Sequence, residues 1–258
     1  MAMNVFGELL APQYLGWLWH GFWVTIGLSL CVCVAATLGG FALCVARLQG
    51  RGVVQWAARV YLSVFRNTPL LVQLFFWYFG ASAFLPEGFL PWLNTPRQIE
   101  VAGLALRWPS FEFIAGFFGL TLFTAAFIAE EFRAGVQGVG AGQRAAAAAL
   151  GLTPLQAWRH VILPQALHNA FSPLVGQYMN AVKNSSLTMA IGLAELSYAS
   201  RQVETQTFKT FQAFGIATLL YLLLIAAMEA ASQLWQRRGR DRKSTRLNSS
   251  HLAESRMP

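Results

Sequence analysis

The chain has 258 residues, of which 55% are apolar, 14% are aromatic and only 12% are charged. Soluble domains carry about 25% charged residues, so this composition excludes an ordinary soluble protein and indicates several membrane-spanning helices. The net charge of +8 is concentrated in residues 237–258, which hold seven Lys or Arg and two Asp or Glu. Because a basic segment beside a last span is typical of a cytoplasmic tail, nucleic acid is not an expected partner.

The end of that tail, KSTRLNSSHLAESRMP, has no periodicity and an abrupt change of composition. It is similar to translated cloning sequence rather than to a native terminus. Residues 237–258 are therefore predicted to be a basic cytoplasmic tail whose end is not native.

Uncharged stretches in chain order predict an all-α membrane protein with about five transmembrane helices. The first span is predicted at about 19–46, because a span needs about 20 residues and Leu9 to Ala46 carry no formal charge apart from a possible His20. Aromatic residues crowd its start, as they do at a membrane interface. Residues 1–18 are predicted to be a periplasmic segment.

The second apolar stretch, residues 53–84, is interrupted by Arg59, Arg66 and Pro69. It predicts either one long helix kinked at the proline or an interfacial helix followed by a span that begins near Asn67. We favour the continuous segment, with its arginines near the cytoplasmic face. Residues 81–112 contain four prolines and are predicted to be a loop.

Three further spans are predicted from the remaining uncharged stretches. They cover residues 113–129, about 169–193 and about 210–235. The connections at 47–52 and 136–167 then share a side with the tail, and these segments are mostly basic. Because basic residues favour the cytoplasmic side of a membrane, this distribution of charge predicts an amino terminus in the periplasm and a carboxyl terminus in the cytoplasm.

Residues 144–167, RAAAAALGLTPLQAWRHVILPQAL, place two short helix signals between spans. An alanine-rich run ends at Gly151, a natural left-handed C-cap. Residues 153–156 then fit a capping box with proline at the first helical position. This second helix should stop by Leu163, because Pro164 disfavours helix in the residue before it. Each helix is too short to span the membrane or to be stable alone in water.

Two interpretations fit such a loop. Alanine allows another surface to approach a helix backbone closely, which favours a cytoplasmic docking element for another protein. The same spacing also fits an amphipathic hairpin packed on the chain's own bundle. Spacing alone does not decide between them.

The loop resembles the EAA loop of the integral membrane subunits of ABC importers, in which two small residues precede a glycine and a hydrophobic-Leu-Pro block. The stretches GFWVTIGLSL, VFRNTPLLVQLFFWYF, LFTAAFIAEEFRAGVQGV, VILPQAL and VKNSSL are similar to the polar amino-acid branch of these permeases. YLGWLWHGFWVTI and FRNTPLLVQ are similar to permeases for glutamate and aspartate. The resemblance extends from about residue 16 to 235. It implies a type I permease domain at 19–236 with a coupling loop at 138–167.

The resemblance implies that this loop couples the permease to an ATPase. The chain departs from the family at Ala145, where the name-giving glutamate would fall, and at Ala148, a position that is often basic. The contact would then depend on shape, with small residues and the following helix filling a groove of the ATPase. The predicted coupling residues are Ala146, Ala147, Gly151, Thr153, Pro154, Ile162, Leu163 and Pro164.

Ionisable residues at membrane depth are costly and are candidates for function. Lys183, in the fourth predicted span, would offer a cationic passage to an anionic amino acid. Alternatively, it has a structural role, in which it pairs with a carboxylate such as Glu130 or extends its ammonium to the membrane interface. Arg66 either lines the same path or caps the helix that starts near Pro69. Glu130 is expected to pair with Arg133 or the loop more than to bind substrate. The candidate residues of the translocation path, called path residues below, are Lys183, Asn184, Ser185, Arg66, Asn67 and Glu130.

The energy source is expected to be a partner. The sequence contains no G-x-x-x-x-G-K-[ST] loop, so ATP and Mg²⁺ should bind to another subunit and no cofactor is predicted here. The histidines and cysteines lack metal-ligand spacing, and neither a metal site nor a catalytic residue is predicted. The resemblance implies three partners besides the lipid bilayer: ABC ATPase subunits, a periplasmic amino-acid-binding protein and a second permease subunit, more often a different chain than a copy.

These features predict a non-enzymatic subunit of a bacterial inner-membrane importer for polar amino acids, with glutamate and aspartate as the expected substrates. The rival is a secondary transporter driven by an ion gradient, in which Lys183 and Glu130 would be coupling charges. Such folds usually contain paired internal repeats, and we find no second copy of any motif in this sequence.

Overall fold

The computed structural model describes residues 10–95, 98–101 and 104–254, which form a bundle of helices with one small hairpin. The first nine residues of the predicted periplasmic segment and the last four of the tail lie outside the described residues. The helices are α1 (Pro12–Gln49), α2 (Val53–Asn67), α3 (Leu70–Phe75), α4 (Phe89–Asn94), α5 (Phe111–Gln137), α6 (Ala141–Ala149), α7 (Pro154–Ala157), α8 (Leu163–Ser185), α9 (Leu196–Thr207) and α10 (Thr210–Glu254).

The all-α prediction is confirmed for the body of the protein. The exception is an antiparallel hairpin of β1 (Gln98–Val101) and β2 (Leu104–Arg107), which lies inside the predicted loop. Among the described residues, three helical stretches are long and apolar enough to cross a membrane: Pro12–Gln49, Phe111–Gln137 and Thr210–Arg237. They coincide with the first, third and fifth predicted spans. The second corresponds to the shorter apolar stretch Leu70–Phe84 and the fourth to α8, so a total of five spans stays a prediction.

The second apolar segment is two helices rather than one. Helix α2 ends at Asn67, and Thr68 and Pro69 have extended backbone angles before α3 begins. The side-chain amide of Gln73 donates to the carbonyl oxygens of Phe65 and Thr68 at 3.0 and 3.1 Å, which satisfies the end of α2. The prediction of one continuous helix is therefore wrong. Pro69 holds Thr68 in an extended conformation, and the Gln73 amide supplies the donor that the last carbonyls of α2 would otherwise lack.

Helix α7 continues into α8 through a single π turn, Trp158–Ile162. The prediction that this helix stops by Leu163 is wrong. Pro164 lies in the first turn of α8, next to the π turn, where an altered hydrogen-bond pattern tolerates the missing N–H. An uninterrupted helical path therefore runs from Pro154 to Ser185.

Glycines allow the long helices to approach closely around α5, which packs against α1, α2, α3 and α8. Gly40 of α1 faces Ile128 of α5, and a Cβ at Gly40 would lie 2.6 Å from Cγ2 of that isoleucine. Gly135 of α5 faces the backbone of Ala166 in α8, where a Cβ would lie 2.5 Å from the carbonyl oxygen. In a membrane, burying apolar surface between helices gains little over contact with lipid. Close packing at small residues therefore contributes much of what holds the helices together.

Residues 194–209, between the fourth and fifth predicted spans, contain α9, which packs against α1 and α10. Glu195 precedes this helix and is fully buried. Its carboxylate accepts hydrogen bonds from the Thr25 hydroxyl at 3.3 Å, the Tyr221 hydroxyl at 2.7 Å and the Tyr198 N–H at 2.9 Å. One acidic side chain therefore joins α1, α9 and α10. Burial raises the pKa of the Glu195 carboxyl, although these hydrogen bonds oppose the shift.

Replacing Glu195 by alanine is expected to destabilise the protein by about 1–3 kcal/mol, because the two hydroxyls and the N–H lose their acceptor. Glu195→Gln should cost less, since an amide can accept from the Tyr198 N–H and donate to Tyr221. The raised pKa makes the carboxyl stabilise the fold at low pH, and this contribution is lost as the pH rises through the raised pKa. Thermal unfolding in detergent across pH tests this, and equal effects of the two variants at every pH would contradict it.

Candidate functional site

The first helix of the predicted coupling loop presents a surface of small side chains. In α6, Ala145 and Ala146 are exposed, whereas Ala147 is 2% exposed and faces the bundle. The side chain of Leu150, just beyond the helix, is 80% exposed. A helix that has only alanine after Arg144 and is followed by one exposed leucine permits close approach of another protein.

Gly151 forms the turn between α6 and α7 in a left-handed conformation, with φ of 72°. The N–H of Gly151 donates to the carbonyl of Ala148 at 3.0 Å, and the N–H of Leu152 donates to that of Ala147 at 3.1 Å. This pair of bonds is the Schellman motif, which needs a residue with positive φ at the glycine position. The predicted left-handed cap at Gly151 is confirmed.

A capping box begins α7, as the sequence predicts. The Thr153 hydroxyl accepts from the N–H of Gln156 at 3.3 Å, and the Thr153 N–H donates to the Gln156 side chain at 2.9 Å. Pro154 occupies the first helical position, and the Leu155 side chain is 77% exposed. Reciprocal capping holds this short helix in place without burying its apolar side chain.

The loop is tied to the bundle by polar contacts near the ends of α5 and α8. The Arg144 guanidinium donates to the carbonyl of Val136 at 3.3 Å, and beside the loop the side-chain amide of Asn169 in α8 donates to the carbonyl of Gly135 in α5 at 3.3 Å. A hairpin packed on its own bundle would bury its leucines, whereas Leu150 is largely exposed. The geometry favours the docking interpretation, and the loop continues directly into α8.

Three of the predicted path residues, Arg66, Asn67 and Glu130, lie together in a polar pocket of about 390 Å³ between α1, α2 and α5. The Glu130 carboxylate forms ion pairs with Arg47 and Arg133, the latter at 2.7 Å, and lies 3.9 Å from Arg66. The expected pairing of Glu130 with Arg133 is therefore present. Arg66 does not cap α3, because its guanidinium lies over the Phe127 ring, 5.4 Å from the ring centre.

The other three predicted path residues lie at the end of α8. Lys183 is exposed, Asn184 is half-buried, and the fully buried Ser185 donates its hydroxyl hydrogen to the carbonyl of Val182 at 2.7 Å. A passing substrate would not reach Ser185 in this conformation. The ion pairs seen among the described residues do not include Lys183, so the possible pairing with Glu130 is not formed.

The two groups lie at different levels of the bundle because α5 and α8 are antiparallel. Gly116 near the start of α5 faces Thr188, whereas Gly135 near its end faces Ala170. Lys183 therefore lies towards the start of α5, and Glu130 is about 20 Å beyond Gly116 along the helix axis at 1.5 Å per residue. The structure does not bring the six predicted residues into one site.

Sequence reasoning missed two polar residues that organise the bundle, Gln73 and Glu195. Gln73 lies within an apolar stretch one turn after a proline, a position at which a buried amide can satisfy the carbonyls that the proline leaves free. Glu195 is the N-cap of α9, but glutamate is not among the residues preferred at that position, so the sequence held no capping signal for it. Neither pattern indicates which distant helices the side chain joins.

Comparison with known families agrees with this architecture. Residues 35–241 match the model of the family described as "Binding-protein-dependent transport system inner membrane component". The chain belongs to this family, and the matched residues include the loop of α6 and α7. It is a membrane-embedded permease subunit of an ABC importer for amino acids.

Several proteins similar to this chain are amino-acid permeases or transporters. The chain is 34% identical to the glutamate/aspartate import permease protein GltJ of Escherichia coli over 227 residues, covering 88% of this chain and 89% of that protein. It is 36% identical to the probable glutamine ABC transporter permease protein GlnM of Bacillus subtilis over 204 residues, covering 79% of this chain and 84% of that one. A solved amino acid ABC transporter with histidines superimposes with a TM-score of 0.75 at 27% identity, covering 90% of this chain and all of that chain.

Proposed function

We propose that this chain is a transmembrane subunit of an ATP-driven importer of glutamate and aspartate, and that its 143–164 loop couples it to the ATPase subunits. The observation that carries the proposal is the exposed small-residue surface of α6 and α7, with Leu150 and Leu155 directed outward, on a chain of the importer permease family. The relative named as a glutamate/aspartate permease, at 34% identity, supports the choice of substrate.

In this proposal ATP and Mg²⁺ bind to two partner ATPase subunits, and this chain carries no cofactor and does no chemistry. Closing of the ATPases draws the 143–164 loops together and turns the helices from an inward-open to an outward-open arrangement. The unbroken helical path from Pro154 to Ser185 supports this transmission, because a displaced loop must carry α8 with it. Hydrolysis then returns the helices and releases the amino acid inward.

The remaining partners follow from the size and orientation of the chain. About five helices are too few to enclose a path, so we propose a second permease subunit, and a different chain rather than a copy. A periplasmic binding protein would deliver the amino acid to the connections at 81–112 and 194–209. The basic turn at 47–52 supports a cytoplasmic carboxyl terminus and a periplasmic amino terminus in the bacterial inner membrane.

Lys183 and Asn184 are proposed to lie on the route of the amino acid. The exposed ammonium of Lys183 in this single chain supports a position that faces the second subunit or the space between the two. A cation there would stabilise an acidic side chain that has left water. Arg66, Asn67 and Glu130 are left outside this route, because arginines already converge on the one carboxylate in their pocket.

The proposal is tested by expressing the chain together with an ATPase, a second permease and a binding protein of the same importer, and reconstituting the purified complex in vesicles. We expect vanadate-sensitive ATPase activity that the loaded binding protein stimulates, and ATP-dependent uptake of labelled glutamate. The matched control is the same complex with the ATP-binding lysine of the ATPase replaced, which should lose both activities while assembling normally.

Other outcomes would contradict separate parts of the proposal. Uptake that follows an imposed ion gradient without ATP would make the chain a secondary transporter and direct attention to Lys183 and Glu130. ATP-dependent uptake of another amino acid with no transport of glutamate or aspartate would retain the importer and overturn the substrate.

A further inference from the structure

The polar pocket at the end of α1 carries more positive charge than its ion pairs neutralise. Arg47, Arg59 and Arg66 line it, and Arg133 binds its carboxylate from one side. Glu130 is the one acidic residue among the described residues that line the pocket. The site therefore has three positive charges in excess. A concave site with charge of one sign attracts a ligand of the opposite sign.

Two of these arginines keep donors for a ligand. The Nη1 atom of Arg66 lies 3.9 Å from the Glu130 carboxylate, which is beyond hydrogen-bond distance. Arg59 donates from Nη2 to the Gln55 side chain at 2.8 Å, which uses one of the five N–H groups of a guanidinium. The planar forks of Arg59 and Arg66 can therefore bind the oxygens of a phosphate or carboxylate group in pairs.

Helix α2 presents two different exposed surfaces. Arg59, Ser63 and Arg66 recur at helical spacing and line the pocket. Beside them runs an exposed apolar stripe, which comprises Val53, Val60 and Val64 at 77%, 39% and 49% exposure. A short helix with one basic face and one exposed apolar face is typical of a helix that lies at the membrane interface, with the apolar face towards the acyl chains.

The contacts of α2 place both of its ends near the end of the first span. Gln55, in the first turn of α2, donates from its side chain to the carbonyl of Arg47 at 3.1 Å. Arg66, in the last turn, lies beside Glu130, which is itself paired with Arg47. Arg47 is in the last turn of α1, where the apolar run ends. The pocket therefore lies at the depth of lipid headgroups rather than at the centre of the membrane.

We propose that this pocket binds the phosphate of an anionic phospholipid, with Arg59 and Arg66 holding the phosphate and the acyl chains lying along the valine stripe of α2. Its volume of about 390 Å³ falls in the range of small-molecule sites. Basic pockets between membrane helices recognise anionic headgroups in this way. An acidic amino acid or free phosphate would satisfy the arginines but would gain nothing from the adjacent apolar stripe, so a lipid fits both surfaces.

Native mass spectrometry of the purified full-length chain, offered equal amounts of phosphatidylglycerol and phosphatidylcholine, tests the proposal. The wild type should retain phosphatidylglycerol preferentially. Arg59→Gln combined with Arg66→Gln should weaken that binding about fivefold for each charge removed. The matched control removes two exposed arginines outside the pocket, Arg51→Gln with Arg201→Gln, and should leave the binding nearly unchanged. The wild-type comparison stands even if the pocket variant folds poorly.

Competition at constant ionic strength separates the possible sources of the anion. Retention of phosphatidylglycerol in the presence of glutamate or inorganic phosphate supports a lipid site. Displacement by glutamate assigns the pocket to the transported amino acid and overturns the proposal. Equal retention of the two lipids by the wild type, or equal losses in the pocket and control variants, overturns it as well. The readout needs no ATPase or uptake activity and does not depend on the proposed substrate.

Discussion

Replacing Gly151 by valine is expected to reduce binding-protein-stimulated ATPase activity and glutamate uptake by tenfold or more, while the isolated chain stays folded. Gly151 has φ of 72°, a conformation that costs an L-residue about 1–2 kcal/mol and a β-branched residue more. Among the described residues other than Gly151 and its two chain neighbours, no heavy atom lies within 4 Å of a Cβ at this position, so the substitution meets no steric block there. The valine should instead turn α7 away from α6 and separate the two parts of the docking surface.

Two controls make this prediction specific. Gly151→Asn should keep most of the coupling, because asparagine tolerates the left-handed conformation. Gly142→Ala lies on the exposed face of α6 with open space around its Cβ and should be neutral. The three variants are compared for copurification with the ATPase, for stimulated ATPase activity and for uptake. Full coupling in the valine variant would show that the turn at Gly151 is not needed to grip the ATPase.

Gly40→Ala is expected to lower the stability of the protein by about 1–3 kcal/mol through overpacking between α1 and α5. A Cβ at Gly40 would lie 2.6 Å from Cγ2 and 2.9 Å from Cβ of Ile128, and 3.0 Å from the carbonyl oxygen of Ala125. These distances are shorter than van der Waals contact, and the carbonyl belongs to the backbone of a long helix, so α1 and α5 must separate. Thermal unfolding of the purified chain in detergent measures the loss.

The neighbouring glycine provides the matched control. A Cβ at Gly39 would lie 3.6 Å from Cβ of Ala125, an ordinary contact, so Gly39→Ala adds a methyl group without a clash. Alanine also has a higher helix propensity than glycine by about 1 kcal/mol, which makes this substitution neutral or slightly stabilising. Equal melting temperatures for the two variants would contradict close packing of α1 and α5 at Gly40.

Local rules predicted the coupling loop well because its conformation depends on neighbours in the sequence. The capping box at Thr153 and the left-handed turn at Gly151 each involve hydrogen bonds between residues three to five positions apart. Such bonds form wherever these residue types occur at this spacing. The same locality explains why resemblance to a family was visible in this loop and in the short stretch around Lys183.

Local rules failed where a helix terminus depends on contacts across the fold or on a change in helix type. Pro164 was expected to end a helix, but a π turn before it allows α7 to continue into α8. Pro69 was expected to bend a helix, but the chain breaks because Gln73 bonds to the carbonyls that the break exposes. A proline in a sequence shows that one backbone N–H donor is missing. Only the surrounding structure shows which group takes its place, or how the helix continues without it.

The sequence by itself determined that this is a helical membrane protein and that a glycine turn and a capping box shape residues 143–164, and its resemblance to known permeases indicated the family. Hydropathy and capping residues carry the structural part of that information because each acts within a few residues, whereas the family was indicated by resemblance alone. The tertiary structure alone decided that Glu130 collects arginines from three helices, that Lys183 lies at another level, and that Glu195 is buried among α1, α9 and α10. These charges meet residues far away in the chain, and their environment arises only when the helices pack.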